Sequence, residues 1–414
     1  MRVLFPAAPG YGLMLPIVPL VWAARAAGHE VLFATTAYVT GTAVECGLPT
    51  VDVFPQRDVG ADLILASGGK APDPDDPAAA AGLPPGYWRL ARQLKPFELF
   101  ALAMTEGTVA AGRHFGADLV VYPADHVAGM LTATALGVPA LEVGNRVSWS
   151  LRDEDFRADG GHNDRTGVIP DQAPVMRELR ERLGVGDRGP DLVARIDPRA
   201  PSLGGLERDE PDSRDGVPWW AMRYVPYNGG GLLPEWARKR PERPRICLTL
   251  GTVTPLLSDG SRLSLLMRAL GELDVEVILA DHSTDLSRLG ALPDNVIRAG
   301  YLPLSTFLDS CALVVHHGGS GTTAAALHYG VPQLLLPEGA DNPLVARRVV
   351  DRKAGLALSP ADLDVPTAQG LVRRLLTEPA FRRAAAQVSA EMAAQPSPAA
   401  VIDRFVREAL DRRG

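Results

Sequence analysis

The feature that most constrains this chain is a glycine-rich segment in its second half, which reads VVHHGGSGTTAAALHYG from Val314 to Gly330. The apolar run Leu313–Val315 predicts a buried strand, and the alanine-rich stretch after Thr323 predicts a helix that ends at Gly330. A strand that passes through such a turn into a helix builds an anion site, because the first-turn N–H groups have no partner inside the helix. The helix dipole adds about half a positive charge at the same place.

The residue types in this turn narrow the choice of anion. The segment lacks the lysine of a Walker A loop and the glycine spacing of a dinucleotide fingerprint. Its glycines let a ligand approach the backbone, and the hydroxyls of Ser320 and Thr322 add donors. We therefore predict a phosphate or diphosphate held by neutral donors and a histidine. The alternative is a tight strand–helix turn whose glycines serve packing alone.

The whole stretch resembles the nucleotide-diphosphate site of the inverting glycosyltransferases that decorate natural products. In that family an HHGGxGTT run precedes a small-residue helix, a GVP triplet, a strand and a DQ pair. Here the run begins at His316, the triplet begins at Gly330, and the pair is Asp341-Asn342. The resemblance is strongest to the bacterial antibiotic-type branch, which uses thymidine-diphospho-deoxysugars.

Three further motifs extend the resemblance over both halves. Leu248–Thr252 resembles the family's LTLGT turn, which faces the diphosphate, and RYVPYNG from Arg223 resembles its entry between domains. Tyr301–Leu304 resembles WVPL, in which an aromatic ring stacks on the nucleobase; Tyr301 offers such a face for thymine. The alternative for Tyr301 is a half-buried tyrosine at a strand end.

Carried over position by position, the resemblance implies that His317 holds the diphosphate, that the turn donates to it, and that Asp341 hydrogen-bonds the sugar. Asn342 replaces the family's glutamine and is shorter. Asn342 also has a structural alternative, as the N-cap of a helix with Pro343 at its first position. The implied donor-binding residues are Thr252, Tyr301, Leu302, His317, Gly319, Ser320, Gly321, Thr322, Asp341 and Asn342.

The predicted fold is α/β, with two Rossmann-like doubly wound domains that face each other across a cleft. Apolar strands at 2–7 and 31–34 alternate with helical stretches, which is typical of a parallel sheet covered on both faces. Ligands of such sheets bind at the carboxyl ends of the strands, so Tyr11 to Leu13 should face the acceptor crevice. The resemblance implies an acceptor-binding domain at 1–222, a linker at 223–244 and a donor-binding domain at 245–395. The terminal helix, 396–414, would then pack back on the first domain.

The remaining predicted elements follow from periodicity and turn residues. Three polar, proline- or glycine-rich stretches at 60–86, 152–171 and 201–215 are predicted loops, and the first two should order over an acceptor. Strands are predicted at 51–54, 118–122, 140–143, 245–250, 276–280 and 296–298. Helices are predicted at 16–27, 88–114, 126–136, 177–183, 344–351, 360–376, 380–394 and 399–410.

The chain departs from the family at the position of the catalytic base. The family's GxGHxxP turn reads Gly10 to Pro16 here, and the histidine is replaced by Leu13, which carries no proton. A well-placed base contributes roughly 10²–10⁴-fold to the rate. Three accounts stay open: an acidic acceptor, a substitute base at Asp125 or His126, or a chain that has lost activity. The structural alternatives are an N-cap for Asp125 and a helix-start position for His126.

Composition excludes several classes of protein. The formal charge of −7 over 414 residues, without a basic block, argues against nucleic acid. The N-terminus lacks a signal-peptide pattern, and no apolar run is long enough to span a membrane. Three well-separated cysteines, Cys46, Cys247 and Cys311, fit neither a disulfide framework nor a metal cluster, so we expect a cytoplasmic protein.

The resulting prediction is a metal-independent glycosyltransferase without a cofactor. It would move a deoxysugar, with inversion, from a TDP-activated donor to a hydrophobic aglycone. Two rivals are a catalytically silent homologue that stabilises a partner enzyme and a nucleotide-sugar epimerase. The sequence leaves the oligomeric state open, a homodimer included.

Overall fold

The structure, a computed structural model, describes residues 1–62, 81, 83, 87–88, 94–158, 175–251, 261–280, 292–339 and 341–412. It contains two parallel sheets flanked by helices, so the predicted α/β fold is confirmed. The strands of the first sheet are β1 (Arg2–Pro6), β2 (Glu30–Thr35), β3 (Thr50–Asp52), β4 (Leu119–Pro123), β5 (Pro139–Val143), β6 (Asp191–Asp197), β7 (Glu210–Pro211) and β8 (Pro218–Ala221). Those of the second sheet are β9 (Arg245–Thr249), β10 (Glu276–Leu279), β11 (Val296–Arg298), β12 (Leu313–His316), β13 (Gln333–Leu335) and β14 (Gly355–Ala357).

The first sheet has the order β3-β2-β1-β4-β5-β6-β8-β7, and only the β7–β8 pair is antiparallel. Its strands are apolar on both faces because helices cover both faces. In β1, Val3 and Phe5 join one buried cluster, whereas Leu4 joins the cluster on the opposite face. This alternation follows from the two-residue period of a strand.

The second sheet is parallel throughout, in the order β11-β10-β9-β12-β13-β14. β9 and β12 lie at its centre, with β10 and β11 on one side and β13 and β14 on the other. Because all six strands run the same way, the residues that follow β9, β11, β12 and β13 emerge at one edge of the sheet. That edge is where ligands of open α/β sheets bind.

The helices cover both sheets and mostly agree with the predicted ones. The α-helices with full bounds are Tyr11–Met14, Val18–Ala26, Val39–Glu45, Pro96–Phe115, Val127–Leu136, Glu154–Ala158, Met176–Leu183, Glu235–Arg238, Ser261–Gly271, Ser320–His328, Asn342–Asp351, Val365–Thr377, Pro379–Ala394 and Pro398–Asp411. Short 3-10 turns occupy Leu15–Ile17, Pro201–Leu203, Leu304–Thr306, Leu308–Ser310 and Pro360–Asp362.

The last helix packs against the first sheet's helical layer. Ile402 and Phe405 are buried in the same cluster as Val3, Phe5 and Val21. Its apolar residues recur at helical spacing, so one stripe of the helix faces this core. The domain boundaries at 222, 244 and 395 stay a prediction.

Several sequence predictions were wrong at the level of elements. The helix predicted at 88–114 is interrupted, because residues 94 and 95 are not helical and the described helix begins at Pro96; Trp88, itself helical, packs in the core beneath the Arg57 guanidinium. The predicted turn at Tyr11 is a short helix, and the helix predicted at 16–27 begins at Val18. The helix predicted at 360–376 begins at Val365, after a separate 3-10 turn.

Three strands of the first sheet were missed, namely β6, β7 and β8. In β6 the charged residues Asp191, Arg195 and Asp197 interrupt the apolar pattern. The burial of Arg195 and Asp197 is tolerated because both charges are paired. Asp197, for example, lies 2.7 Å from Arg199. β8 is equally hard to predict from sequence, since its four residues are a proline, two tryptophans and an alanine.

The predicted loops are only partly described. Asp62 is buried rather than exposed, and it accepts hydrogen bonds from Arg57 and Tyr87. In the second loop Glu154–Ala158 is a helix, and in the third Glu210–Pro211 pairs as β7. Most of 60–86 and of 159–171 lies outside the described residues, so their ordering over an acceptor stays a prediction. Within the described parts of the chain, no helix is long and apolar enough to cross a membrane.

Candidate functional site

His317 follows β12 and lies in a slot bounded by two glycines. A Cβ at Gly319 would stand 2.5 Å from the His317 Nε2, and a Cβ at Gly251 would collide with the same ring. Gly251 also has φ +74°, which a side chain rarely tolerates. Because these two glycines have no side chains, the imidazole can lie close to the backbone turns after β9 and β12.

The hydrogen bonding and the pKa of His317 are those expected of a side chain that binds a ligand. Its Nδ1 is buried and has no hydrogen-bond partner among the described residues. Burial lowers the pKa of His317 to about 4, opposed by the nearby Asp341 carboxylate. A buried ring nitrogen without a partner is costly unless a ligand supplies one.

His316 has a structural task instead. Its Nδ1 accepts the Gly318 N–H at 3.2 Å, so its Nε2 carries the proton that binds Gln333 Oε1 at 2.8 Å. Burial lowers its pKa to about 3, with His317 acting in the same direction. The neutral ring thus ties the glycine turn to the neighbouring strand β13.

The helix Ser320–His328 begins at this turn. Its N-cap is Gly319, which has no side chain to cap the first-turn N–H groups. Ser320 is buried and its hydroxyl lies 3.5 Å from Asp341 Oδ2, whereas Gly321 and Thr322 are partly exposed. Tyr224, from the segment between the two sheets, donates to the Gly321 carbonyl at 3.5 Å.

Tyr301 lies beyond β11 at the other end of the same edge. Its ring is 44% exposed, and its hydroxyl donates to the Asn228 carbonyl at 2.9 Å. Tyr11 of the first half faces it with ring centroids 6.4 Å apart, and Tyr38 lies 5.4 Å beyond Tyr11. Leu302 is buried beneath in the core. Thr252 lies outside the described residues.

Asp341 lies beyond β13 and is nearly inaccessible, at 3% exposure. The prediction that Asn342 caps the next helix was wrong, because Asp341 occupies the N-cap position and Asn342 is the first helical residue. The Asn342 Nδ2 donates to the Glu338 carbonyl at 2.7 Å, which fixes the side chain against the backbone. The Asp341 carboxylate accepts from Ser148 Oγ and from Arg146 Nη1, the latter at 3.5 Å.

Arg146 joins the two halves of the molecule. It follows β5, and its Nη2 lies 3.0 Å from Asp125 Oδ2, while its Nη1 reaches Asp341. Asn145 Nδ2 donates to the other Asp125 oxygen at 3.3 Å. Burial would lower the pKa of Arg146, but Asp341 and Asp125 together raise it, so the guanidinium stays charged.

The two candidate bases have different surroundings. His126, not Asp125, holds the N-cap position of the helix Val127–Leu136, so the alternative considered for Asp125 was wrong. His126 is 1% exposed, and burial lowers its pKa to about 3, which makes it a weak proton acceptor at neutral pH. Leu13 is partly buried and packs against the apolar cluster that contains Val127.

A second arginine also links the halves. Arg348 donates to the carbonyls of Ser148 and Leu203, at 2.6 and 3.0 Å, and pairs with Asp153 at 2.9 Å. It holds the loop after β5 against the helix that Asp341 begins. Arg348 therefore supports Ser148, which contacts Asp341.

Sequence reasoning missed Arg146, Ser148 and Asn145. All three follow β5, whose carboxyl end points to the cleft like that of β4 before Asp125. The rule that ligands bind at carboxyl ends of strands could have drawn attention to this loop. The described residues contain no group of three or more His, Cys, Asp and Glu that could hold a metal ion.

Comparison with known proteins places this geometry among glycosyltransferases. The model of the N-terminal domain of erythromycin biosynthesis protein CIII-like proteins matches residues 22–251, and that of the C-terminal domain matches 264–408. An elloramycin glycosyltransferase of Streptomyces olivaceus is 36% identical over 410 residues, which cover 98% of this chain and 97% of that protein.

Two solved structures share the whole fold. The glycosyltransferase VinC, solved in complex with dTDP, has a TM-score of 0.75 at 29% identity and 100% coverage of both chains. The spinosyn rhamnosyltransferase SpnG, solved with spinosyn aglycone, has a TM-score of 0.73 at 26% identity. That match covers 98% of this chain and 100% of SpnG.

Proposed function

The chain belongs to the erythromycin biosynthesis protein CIII-like family and is a glycosyltransferase, and from this premise we propose its substrates and the roles of its residues. The proposed reaction transfers a deoxysugar from a thymidine-diphosphate donor to a hydrophobic natural-product aglycone. The anomeric carbon is inverted. The observation that carries this proposal is the contact series that runs from the His317 turn through Asp341 and Arg146 to Asp125.

The donor lies along the edge of the second sheet. Tyr301, His317 and Asp341 follow β11, β12 and β13, in the order nucleobase, diphosphate and sugar. The dTDP complex of VinC supports a thymidine nucleotide for this chain. As the sugar leaves, negative charge grows on the diphosphate. The uncapped N–H groups of the helix Ser320–His328, together with His317, then stabilise that charge.

The acceptor approaches from the first sheet. Both candidates are buried, and Asp125 is the favoured base because Arg146 connects it to Asp341 at the sugar end of the donor, whereas burial lowers the pKa of His126 to about 3. Asp125 and His317 belong to opposite halves of the molecule. An acceptor deprotonated by Asp125 would therefore attack the sugar from the face opposite the diphosphate, which is the geometry of inversion.

The donor assignment is tested by binding. Calorimetry should show thymidine diphosphate binding, and at 100 times its Kd the nucleotide should add about 2.7 kcal/mol to stability. ADP should stabilise the protein far less. The variant His317→Ala should weaken thymidine diphosphate binding without altering the unfolding midpoint of the free protein by a comparable amount. Equal stabilisation by ADP and thymidine diphosphate would count against a pyrimidine site.

The reaction is tested with product analysis. A panel of phenolic and alcoholic aglycones is incubated with a TDP-sugar of known anomeric configuration, and the product's anomeric coupling is read by NMR. A product of opposite configuration supports the proposal. Retained configuration would overturn the assignment of inversion and leave donor binding intact.

A further inference from the structure

The hydrogen-bonding capacity around Asp341 is incompletely used. A carboxylate has about four lone-pair positions. Oδ2 of Asp341 accepts from Ser148 and Ser320, while among the described residues Oδ1 meets only Arg146 Nη1, at 3.5 Å. Asp341 thus has one remaining acceptor position, beside the arginine.

Arg146 has spare capacity at the same place. A guanidinium has five N–H groups. Those on Nε and Nη2 contact Asp125, and one on Nη1 contacts Asp341. The described residues leave the other N–H groups of Nη1 and Nη2 without an acceptor. An acceptor position and a donor position therefore stand side by side.

Asn342 does not fill this place. Its amide nitrogen donates one N–H to the Glu338 carbonyl, which holds the side chain against the backbone. In this chain, Arg146 of the other half supplies the donor next to Asp341.

We propose that Arg146 and Asp341 form a hydroxyl-specific sugar subsite that selects a neutral sugar over an amino sugar. The inference rests on the proposed function and adds the class of sugar. A sugar hydroxyl gives its proton to Asp341 Oδ1 and accepts an N–H from Arg146 Nη1. A protonated amino group donates but has no lone pair to accept. It would leave the Arg146 N–H without an acceptor, which is costly in a buried site.

The test compares three nucleotides by calorimetry: thymidine diphosphate, TDP-rhamnose, and a TDP-3-amino-3,6-dideoxyhexose. The wild-type protein should bind TDP-rhamnose at least about tenfold more tightly than the amino sugar nucleotide, since buried polar groups discriminate strongly against a mismatched partner. In Arg146→Gln this preference should fall to about threefold or less, because the glutamine amide, unlike a guanidinium, also offers an acceptor oxygen to an amino group. Affinity for thymidine diphosphate should change less than about twofold, because Arg146 lies at the sugar end.

Glu391→Ala is the matched control. It removes another side chain that links the two halves, through the Ser202 N–H, but touches neither Asp125 nor Asp341. It should keep the preference for TDP-rhamnose. An equal loss of preference in both variants would mean that Arg146 acts only by holding the halves together, and would overturn the inference.

Two further outcomes are decisive. If Arg146→Gln binds thymidine diphosphate and keeps the wild-type sugar preference, the proposed subsite is refuted and the proposed function is unaffected. No thymidine diphosphate binding by the wild-type protein would sink the proposed function, and the subsite with it. If Arg146→Gln does not fold, Arg146→Lys is used instead, because it keeps the positive charge but lacks the branched guanidinium. It should lose TDP-rhamnose affinity several-fold at constant thymidine diphosphate affinity, and no loss would refute the inference.

Discussion

At the residue scale, the donor site depends on glycines, because their lack of a side chain leaves room for a larger neighbour. The His317 ring occupies the space in which Cβ atoms of Gly251 and Gly319 would stand. Gly319, at φ −62°, would not be needed with a smaller residue at 317, whereas Gly251 is required by its φ of +74° as well. The two glycines and the histidine therefore form one structural unit, and each should be intolerant of change while the others are kept.

Gly319→Ala tests this unit. The new Cβ would lie 2.5 Å from His317 Nε2, so the ring must move away from the turn. We expect thymidine diphosphate affinity to fall at least about tenfold, the size of one lost hydrogen bond to a charged ligand. Gly370→Ala is the control, since no atom lies within 4 Å of its added Cβ. Calorimetric affinities equal to wild type in both variants would contradict the prediction.

Asp125→Asn and His126→Gln separate the two candidate bases. Asp125→Asn should lower kcat at least about 100-fold at unchanged donor affinity, as expected for loss of a general base. His126→Gln should stay within a few-fold of wild type, because burial holds the pKa of that histidine at about 3. Near-wild-type turnover in both variants would instead favour an acidic acceptor, with rates that depend little on pH above the acceptor's pKa.

At the element scale, the local pattern determined how much could be predicted. β12, its glycine turn and the following helix were predictable because an apolar run, glycines and alanines each favour one local structure. β6 was not, because its charges are neutralised by distant partners such as Asp215, which lies 2.9 Å from Arg195. Arg146 has no local signal either, since its role arises from two carboxylates contributed by other elements.

The strand-end aromatic residues yield a prediction at this scale. If thymine stacks on Tyr301, then Tyr301→Ala should weaken thymidine diphosphate binding by roughly 5- to 100-fold, as base–aromatic contacts of about 1–3 kcal/mol imply. Pyrophosphate binding should change much less. Tyr301→Phe keeps the ring and loses the hydroxyl that binds the Asn228 carbonyl, so it should bind thymidine diphosphate nearly as tightly as the wild type. Tyr38→Ala is the control, because it removes an aromatic ring that contacts Tyr11 and not the proposed thymine-stacking residue. A similar loss for pyrophosphate would contradict stacking.

At the scale of the whole molecule, three buried histidines couple stability to pH. Burial lowers the pKa to about 3 for His126 and His316 and to about 4 for His317, against 6.5 for a free histidine. Between these values the unfolded chain binds more protons than the folded one. Their contribution to stability is therefore complete above pH 6.5 and is lost as the pH falls toward 4 and then 3.

This linkage is measurable by urea unfolding at pH 7 and pH 5. Each histidine should remove up to about 1.4 kcal/mol of unfolding free energy per pH unit below its free pKa. His126→Gln removes one of the three and should reduce the slope by about a third. A wild-type slope near zero between pH 6 and pH 5 would show that these rings are not buried in neutral form.

The pairing of Asp62 with Arg57 and Tyr87 has a consequence for engineering. The hydrogen bond from Tyr87 to Asp62, at 3.0 Å, joins two buried points of the first core that are 25 residues apart in sequence. A replacement for residues 63–86 would therefore start and finish at fixed, adjacent anchors, whatever its length. Doubling the length of a flexible loop costs only about 0.6 kcal/mol in closure entropy. We therefore expect segments from related enzymes to be accepted between these anchors at a small cost in stability.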